Sequence, residues 1–370
     1  MNAMNKPSVI LLYADDPGAA NYLAPLPEAL RTLGVPSRFV VSPALTDYCR
    51  DRGIVAETRQ AHEISESLLD TARAAVLGTS EDADCWSHQL TTQAKSMGVP
   101  TVGVIDMGVN ADKRFRGHGD DPLRYAPDWL VVPDSYCQDA FAKLGYSRER
   151  LLPFGHPHYD AIRARLSSTT AETHSWRAQC FPDIPSDMPI WLFLAEGVDR
   201  LEPAQSFRQS SYTLHGRGDT DFRAAIALQE LIDAASGLPQ RPWIVLRPHP
   251  KTDMVDFAHC QDGIDDCRIG GDPLPMLLGA DLVVGMTTML LLEAYLLRRT
   301  TLSILPRDAE REWLVTLRSG LTPVVCSRQS LRDWLRNRSY DPEFRAEIEA
   351  LVLPQGATGK LARFLSGVGK

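Results

Sequence analysis

The chain has 370 residues, enough for two domains of ordinary size, and its 44% hydrophobic and 23% charged composition is that of a globular protein. Its net charge of −8 excludes a surface-wide attraction to nucleic acid or anionic lipid. The opening MNAMNKPSVILLYADD lacks the apolar run of a signal peptide, and no stretch approaches the ~18 uninterrupted apolar residues of a membrane span. Seven scattered cysteines form neither a disulfide framework nor a zinc pattern, so a cytoplasmic protein with reduced thiols is expected.

Short apolar runs alternate with longer amphipathic segments from the start. Ser8–Tyr13 reads as a buried strand, followed by the loop ADDPGAAN and a helix through Tyr22–Leu33 that stops at Gly34. Ser37–Val41, Ala74–Leu77, Thr101–Ile105, Trp129–Val132 and Leu151–Pro153 read as further strands, with a helix through Asp84–Met97. Continuous rather than alternating apolar strands mean a sheet covered on both faces, and their alternation with helices means parallel βαβ units.

The pattern breaks between His158 and Pro189, a polar helical stretch that reads as a linker. A second series starts at Ile190–Leu194. The polar stretch Asp199–Asp221 is long for a loop, and such loops are usually functional or mobile. A helix at Phe222–Ser236 leads to the strand Trp243–Leu246, the turn RPHPK, and a short strand near Cys267–Ile269. A helix at Asp272–Gly279, the strand Asp281–Gly285, a helix at Thr287–Leu297 and the strand Thr301–Ile304 follow. Helices near Ser327–Arg338 and Asp341–Leu353 close the chain. The expected fold class is α/β, with two Rossmann-like domains facing across a cleft: residues 1–160, a linker 161–188, residues 189–340, and a helical tail 341–370. Ligands of open α/β sheets bind at the carboxyl ends of the strands.

Three groups that can be cationic, Arg247, His249 and Lys251, follow one strand within five residues. Arg offers phosphate a bidentate fork, Lys a point charge and His a proton; a rigid basic surface turn is the other reading. One βα unit later, the strand Asp281–Gly285 runs into Met286-Thr287-Thr288 and a helix. Gly285 permits close backbone approach, Thr287 or Thr288 can cap the helix, and the free N–H groups can hold an anion. Glu293 is a carboxylate on an otherwise apolar helix, which a ribose diol would satisfy, as would Arg298 or Arg299.

A basic turn containing His-Pro, followed by Ala280-Asp281, two apolar residues, Gly285, Thr287-Thr288 and Glu293-Ala294, resembles the carboxyl-terminal donor domain of GT-B-fold enzymes. The resemblance spans roughly Trp243–Leu305 and is greatest to CDP-glycerol glycerophosphotransferases, capsular polysaccharide proteins and, more distantly, UDP-N-acetylglucosamine 2-epimerases. It implies that Glu293 holds the nucleotide ribose, and that His249, Gly285, Thr287 and Thr288 hold the diphosphate. Unlike the epimerases, this chain has no Gly-Gly before the acidic residue, and one Glu where they carry a pair.

In the amino-terminal half, the loop Asp15-Asp16-Pro17-Gly18-Ala19-Ala20-Asn21 has the small residues of a phosphate loop, but two carboxylates would repel a bare phosphate. In a GT-B enzyme this loop faces the acceptor, where Asp15 or Asp16 would act as general base; helix capping is the other reading. Ser80, Asp106 with Arg114, His156 and Glu196 also lie at strand ends, each with an ordinary loop role as the alternative. His156 is a candidate catalytic or diphosphate-binding residue, and Asp82-x-Asp84 reads as capping. No metal site or resident cofactor is expected; the activated donor is itself the substrate.

The resemblance implies a metal-independent transferase moving a sugar or polyol phosphate from a nucleotide-activated donor to an unspecified acceptor, in surface polysaccharide or glycoconjugate synthesis. Arg247, His249, Lys251 and the Thr287/Thr288 helix end would neutralise the leaving phosphate, and Asp16 or Asp106 would deprotonate the acceptor. The alternatives are a nucleotide-sugar epimerase or hydrolase, and a non-catalytic nucleotide-sugar-binding protein.

Overall fold

A computed structural model describes residues 9–60, 63, 68–169, 173–198, 203–249, 252–337 and 345–369. The chain forms two compact units. One comprises the residues up to Ala161 together with those from Glu349 onward, and the other Ile162–Ile348.

The first unit is built on seven parallel strands: β1 (Val9–Ala14), β2 (Ser37–Val41), β3 (Glu57–Thr58), β4 (Ala72–Gly78), β5 (Thr101–Val104), β6 (Trp129–Val131) and β7 (Leu151–Leu152). Their order is β3-β2-β1-β4-β5-β6-β7. The apolar run of β1 follows from covering on both faces. Ile10, Leu12 and Ala14 join one core with the helices Pro17–Leu23 and Leu26–Thr32, while Leu11 and Tyr13 join the other with the helix Trp86–Ser96. The chain winds outward from β1 in one direction and from β4 in the other, which makes the carboxyl ends of β1 and β4 the switch point of the sheet.

The single helix expected over Tyr22–Leu33 is two short ones, Pro17–Leu23 and Leu26–Thr32. Pro25 and Pro27 have no N–H to donate to the preceding turn, so the helix breaks there. A further helix, Ala357–Gly367, lies within the helical tail expected over 341–370. It returns to the first unit, where Leu361, Ala362, Leu365 and Val368 complete the core beside Leu26 and Leu30. Asp160 holds its start by accepting from the backbone N–H of Gly356 (2.9 Å) and Thr358 (3.1 Å). Gly155 has φ +98°, and a Cβ there would lie 2.6 Å from the Pro354 carbonyl oxygen, so the returning segment passes where only glycine fits.

The second unit has six parallel strands: β8 (Ile190–Leu194), β9 (Trp243–Arg247), β10 (Asp266–Cys267), β11 (Leu282–Gly285), β12 (Thr301–Ile304) and β13 (Val324–Val325). Their order, β10-β9-β8-β11-β12-β13, puts the switch point at the ends of β8 and β11. The helix Thr173–Cys180, in the stretch read as a linker, packs on the helix Leu274–Gly279 of this unit. The polar stretch before the helix Arg223–Ala235 is anchored along its described part, 203–221. The buried Gln229 and Glu230 side chains accept from the backbone N–H of Arg217 and Gly216, both at 2.8 Å. Arg208 donates to Asp221 at 2.8 Å and to the Thr220 carbonyl at 2.6 Å.

Candidate functional site

Carboxylates gather at the switch point of the first unit. Asp16 follows β1 and caps the helix Pro17–Leu23, its Oδ1 accepting from the Ala19 N–H at 2.9 Å. Asp106 follows β5. A Cβ built on Gly18 would lie 2.1 Å from Asp106 Oδ2 and 3.1 Å from Asp16 Oδ1, so the two carboxylates converge over that glycine. The close approach that Gly18 permits is thus taken by a side chain of the same unit. Arg114, 5% exposed, ties the group together, donating to Asp106 Oδ1 at 2.9 Å and to the Thr79 carbonyl at 3.2 Å, with Glu81 at 3.7 Å. Ser87 reaches Asp15 at 3.4 Å.

This crowding has an electrostatic consequence. Burial first, then the charges of Asp106 and Asp15, push the Asp16 carboxyl up to about 7, against the opposing pull of the Ala19 N–H and of Arg114. Burial also raises Asp15, in spite of its hydrogen bond from Ser87. Asp16 Oδ2 is buried and has no hydrogen-bond partner among the described residues. A carboxyl that titrates near neutrality at the end of a central strand is suited to taking up and returning a proton. Gly18→Ala is expected to force Asp106 out of place and to cost about 1–3 kcal/mol of unfolding free energy, measurable by urea titration. A variant as stable as the parent would show that the carboxylates do not depend on this approach.

Three of the candidates from the sequence do not join this cluster. Asn21 donates to the Tyr48 hydroxyl at 2.9 Å, and Ser80 Oγ accepts from the Asp82 N–H at 3.1 Å. His156, expected as a catalytic or diphosphate-binding residue, is 3% exposed, stacked on Tyr159 at 4.3 Å and packed on Tyr22 at 4.4 Å. Burial and the neighbouring His158 hold its pKa well below the usual histidine value. Its Nδ1 faces the His158 N–H at 3.2 Å. A neutral, packed ring in this position does not suit proton donation to a ligand.

In the second unit, the turns after β8, β9 and β11 meet. Glu196, after β8, reaches across to the turn after β11 and accepts from the Thr287 backbone N–H and, at 3.0 Å, from the Thr287 hydroxyl. A Cβ on Gly197 would lie 2.6 Å from His249 Nδ1, so the His249 ring from the end of β9 lies directly over that glycine. Thr288 caps the helix Met289–Leu296, its Oγ1 accepting from the Leu290 N–H at 3.3 Å. Gly285 lets this turn close, a Cβ there lying 3.2 Å from Thr288 Cγ2. The Ser303 hydroxyl donates to the Met286 carbonyl at 2.7 Å and pins the turn from β12.

Arg223, which no sequence pattern singles out, is the centre of this group. It is 3% exposed and donates to Glu196 and, through Nε at 2.8 Å, to Glu310, itself 0% exposed. Burial lowers the Arg223 pKa, but Glu196 and Glu310 more than offset it and the net shift is upward. Arg307 donates to Glu310 at 2.9 Å, and both guanidiniums lie over the Trp313 ring, at 5.2 and 5.6 Å. Arg223 opens a long helix and Glu310 sits in a short 3-10 turn, so neither has a local pattern that marks it.

Arg247 does not join this group as expected: its guanidinium donates to the Gly271 carbonyl at 2.7 Å, on the other side of β9 from β8. Lys251 lies outside the described residues. Glu293 is 5% exposed on a helix whose neighbours Leu291, Leu292, Ala294 and Tyr295 are buried. Among the described residues, no three His, Cys, Asp or Glu side chains group as a metal site would require, and no helix is long and apolar enough to cross a membrane.

This architecture is the GT-B fold, and solved structures match it over the whole chain. One is the UDP-GlcNAc 2-epimerase of Neisseria meningitidis bound to UDP-GlcNAc, at 13% identity and a TM-score of 0.62, covering 98% of this chain and 99% of that one. Another is the Methanocaldococcus jannaschii UDP-GlcNAc 2-epimerase in complex with UDP-GlcNAc and UDP, at 14% identity and 0.66, covering 97% and 99%. A variant of the wall teichoic acid polymerase TagF matches at 14% identity and 0.57, covering 98% and 88%. No family model and no curated protein matches the sequence.

Proposed function

We propose that this chain is a transferase that moves a sugar or polyol phosphate from a nucleotide-activated donor to an acceptor hydroxyl. The second unit holds the donor and the first activates the acceptor. The observation that carries the reading is Asp16: a carboxyl held near neutrality beside Asp106, at the switch point of a parallel sheet. That the donor is nucleotide-activated is carried over from structural neighbours that hold UDP or UDP-GlcNAc.

In this reading Asp16, ionised, accepts the proton of the acceptor hydroxyl. The acceptor oxygen forms its bond to the donor's anomeric carbon or phosphorus as the bond to the leaving phosphate oxygen breaks. The nucleotide departs with the electron pair. Arg223, Arg307 and the Thr287 N–H are the donors that offset the charge developing on it, the role expected from the sequence for Arg247 and Lys251. His249 and Thr288 line the same turns, and Glu293 binds the ribose. The role proposed for it is surface polysaccharide or glycoconjugate synthesis, and the compartment proposed is the cytoplasm.

A second reading, a nucleotide-sugar epimerase or hydrolase, is favoured by the convergence of two carboxylates on one point, since removing and returning a proton at carbon uses a pair. A thermal-shift screen of UDP, CDP, GDP and ADP with their sugar and polyol conjugates tests both. A ligand at ~100 times its dissociation constant adds about 2.7 kcal/mol of stability. One stabilising nucleotide, with its conjugate consumed only when an acceptor is added, supports transfer. Consumption without an acceptor supports the second reading. Binding without turnover makes the chain a nucleotide-sugar-binding protein, and no response to any nucleotide removes all three.

A further inference from the structure

A backbone N–H, a hydroxyl and a guanidinium aimed at one point form a seat for an anion. The turn after β11 builds such a seat from the Thr287 N–H, the Thr287 Oγ1 and Arg223, whose NH2 stands 3.5 Å from that hydroxyl oxygen. The seat is rigid. Arg223 is locked by Glu310 from below, Trp313 covers it, and Ser303 pins Met286 from the neighbouring strand.

The seat is already filled by the protein itself. The Glu196 carboxylate takes the Thr287 N–H with one oxygen and Arg223 with the other, and the Thr287 hydroxyl lies 3.0 and 3.2 Å from the two. These are the donors a ligand phosphate would use, and both cannot use them together. Of the two carboxylates in the cluster, Glu196 is the one that can leave. Arg223 and Glu310 side chains are 4% and 0% exposed, whereas that of Glu196 is 18% exposed, at the end of its strand and ahead of Gly197. The charges agree. Glu196 and Glu310 balance Arg223 and Arg307, so the filled seat is neutral, and withdrawing Glu196 leaves one positive charge for the incoming group.

We propose that Glu196 is a displaceable internal anion: a phosphate group of the ligand takes its place on Thr287 and Arg223, and the Glu196 carboxylate turns out to solvent. This rests on the reading of the second unit as the donor site. It makes Glu196 a gate on phosphate affinity, because every binding event must first break its contacts.

Isothermal titration with inorganic pyrophosphate, and separately with UDP and CDP, is the test, on the full chain and on Glu196→Gln. Gln keeps the shape and removes the charge, so pyrophosphate is expected to bind at least about tenfold more tightly to the variant. Adding Thr287→Val, which keeps the backbone N–H and removes the hydroxyl, should reverse most of that gain. No gain in Glu196→Gln, or a gain untouched by Thr287→Val, overturns the gate. If the parent chain nevertheless binds a nucleotide, the donor-site reading survives that result. Pyrophosphate binding gained by Glu196→Gln with no nucleotide bound by either protein keeps the gate and overturns the nucleotide. If neither protein binds any probe, both proposals fall.

Discussion

Replacing Asp16 with Asn is expected to lower turnover by about 10²- to 10⁴-fold while making the protein more stable at pH 8. The two effects come from the same cause. Burial and the neighbouring Asp106 hold the Asp16 carboxyl at about 7, against an ordinary value of 3.8. The folded chain therefore binds this proton more readily than the unfolded chain does, and its stability falls as pH rises from about 4 to about 7. Above that window the folded state carries a charge it would rather not hold. Asn removes the charge and keeps the oxygen that accepts from the Ala19 N–H.

The gain is expected to reach at most about 4 kcal/mol at pH 8 and to vanish below about pH 4, since each tenfold difference in proton affinity between the folded and unfolded chain is worth about 1.4 kcal/mol. Turnover moves in the opposite direction with pH. A base must be ionised, so kcat/KM in the parent should climb through about 7 and level off above it, and the variant should lose this limb. Melting curves at pH 4 and pH 8, with the pH profile of donor consumption, check both halves. Unchanged turnover would move the base elsewhere, and an unchanged melting temperature at pH 8 would show that the carboxyl is not crowded.

Arg223→Met is expected to be the most destabilising single change in the second unit, by about 3–5 kcal/mol in urea. Glu310 is 0% exposed and would keep only Arg307 as a cationic partner, and Glu196 would lose its guanidinium. Much of the loss is the cost of leaving charge buried and unpaired, so Arg223→Met combined with Glu310→Gln should recover part of it. Arg217→Met is the comparison. It breaks a pair with Asp233 in which both side chains are about a third exposed, at 36% and 35%, and should cost no more than about 1 kcal/mol. Equal losses from Arg217→Met and Arg223→Met would mean that burial does not govern this cluster.

Much of the fold is legible in the sequence because a parallel sheet covered on both faces demands long apolar strands. Leu11 and Leu12 go to opposite cores, yet both must be apolar, and such runs stand out between Gly and Pro turns. The two-residue strands Glu57–Thr58 and Val324–Val325 carry too little periodicity to be seen, and the start of the helix Ala357–Gly367 inside the expected tail is unmarked because it follows Gly356 with no capping side chain. At the candidate site, strand-end position picks out Asp16, Asp106 and Arg114, which lie together in the first unit, and Glu196, His249 and Thr287, which lie together in the second. The same guide points to His156, whose ring is packed between Tyr22 and Tyr159, a contact that strand-end position does not mark. It is silent on Arg223 and Glu310, which are 87 residues apart and owe their role wholly to each other.

By itself, then, the sequence determined the two parallel-sheet units and the turns that end their strands. Both follow from local chemistry: which residues are apolar enough to be covered, and which cannot continue a helix or strand. The tertiary structure decided what those turns contain. It brought Asp106 over Gly18 and Glu196 onto Thr287, across 91 residues in the latter case. Strand order sets these encounters. Order depends on the packing of whole layers, to which no short stretch of chain holds the key. A carboxyl pushed to neutrality and an anion seat filled from within are both products of proximity, and proximity of that kind exists only once the sheets are assembled.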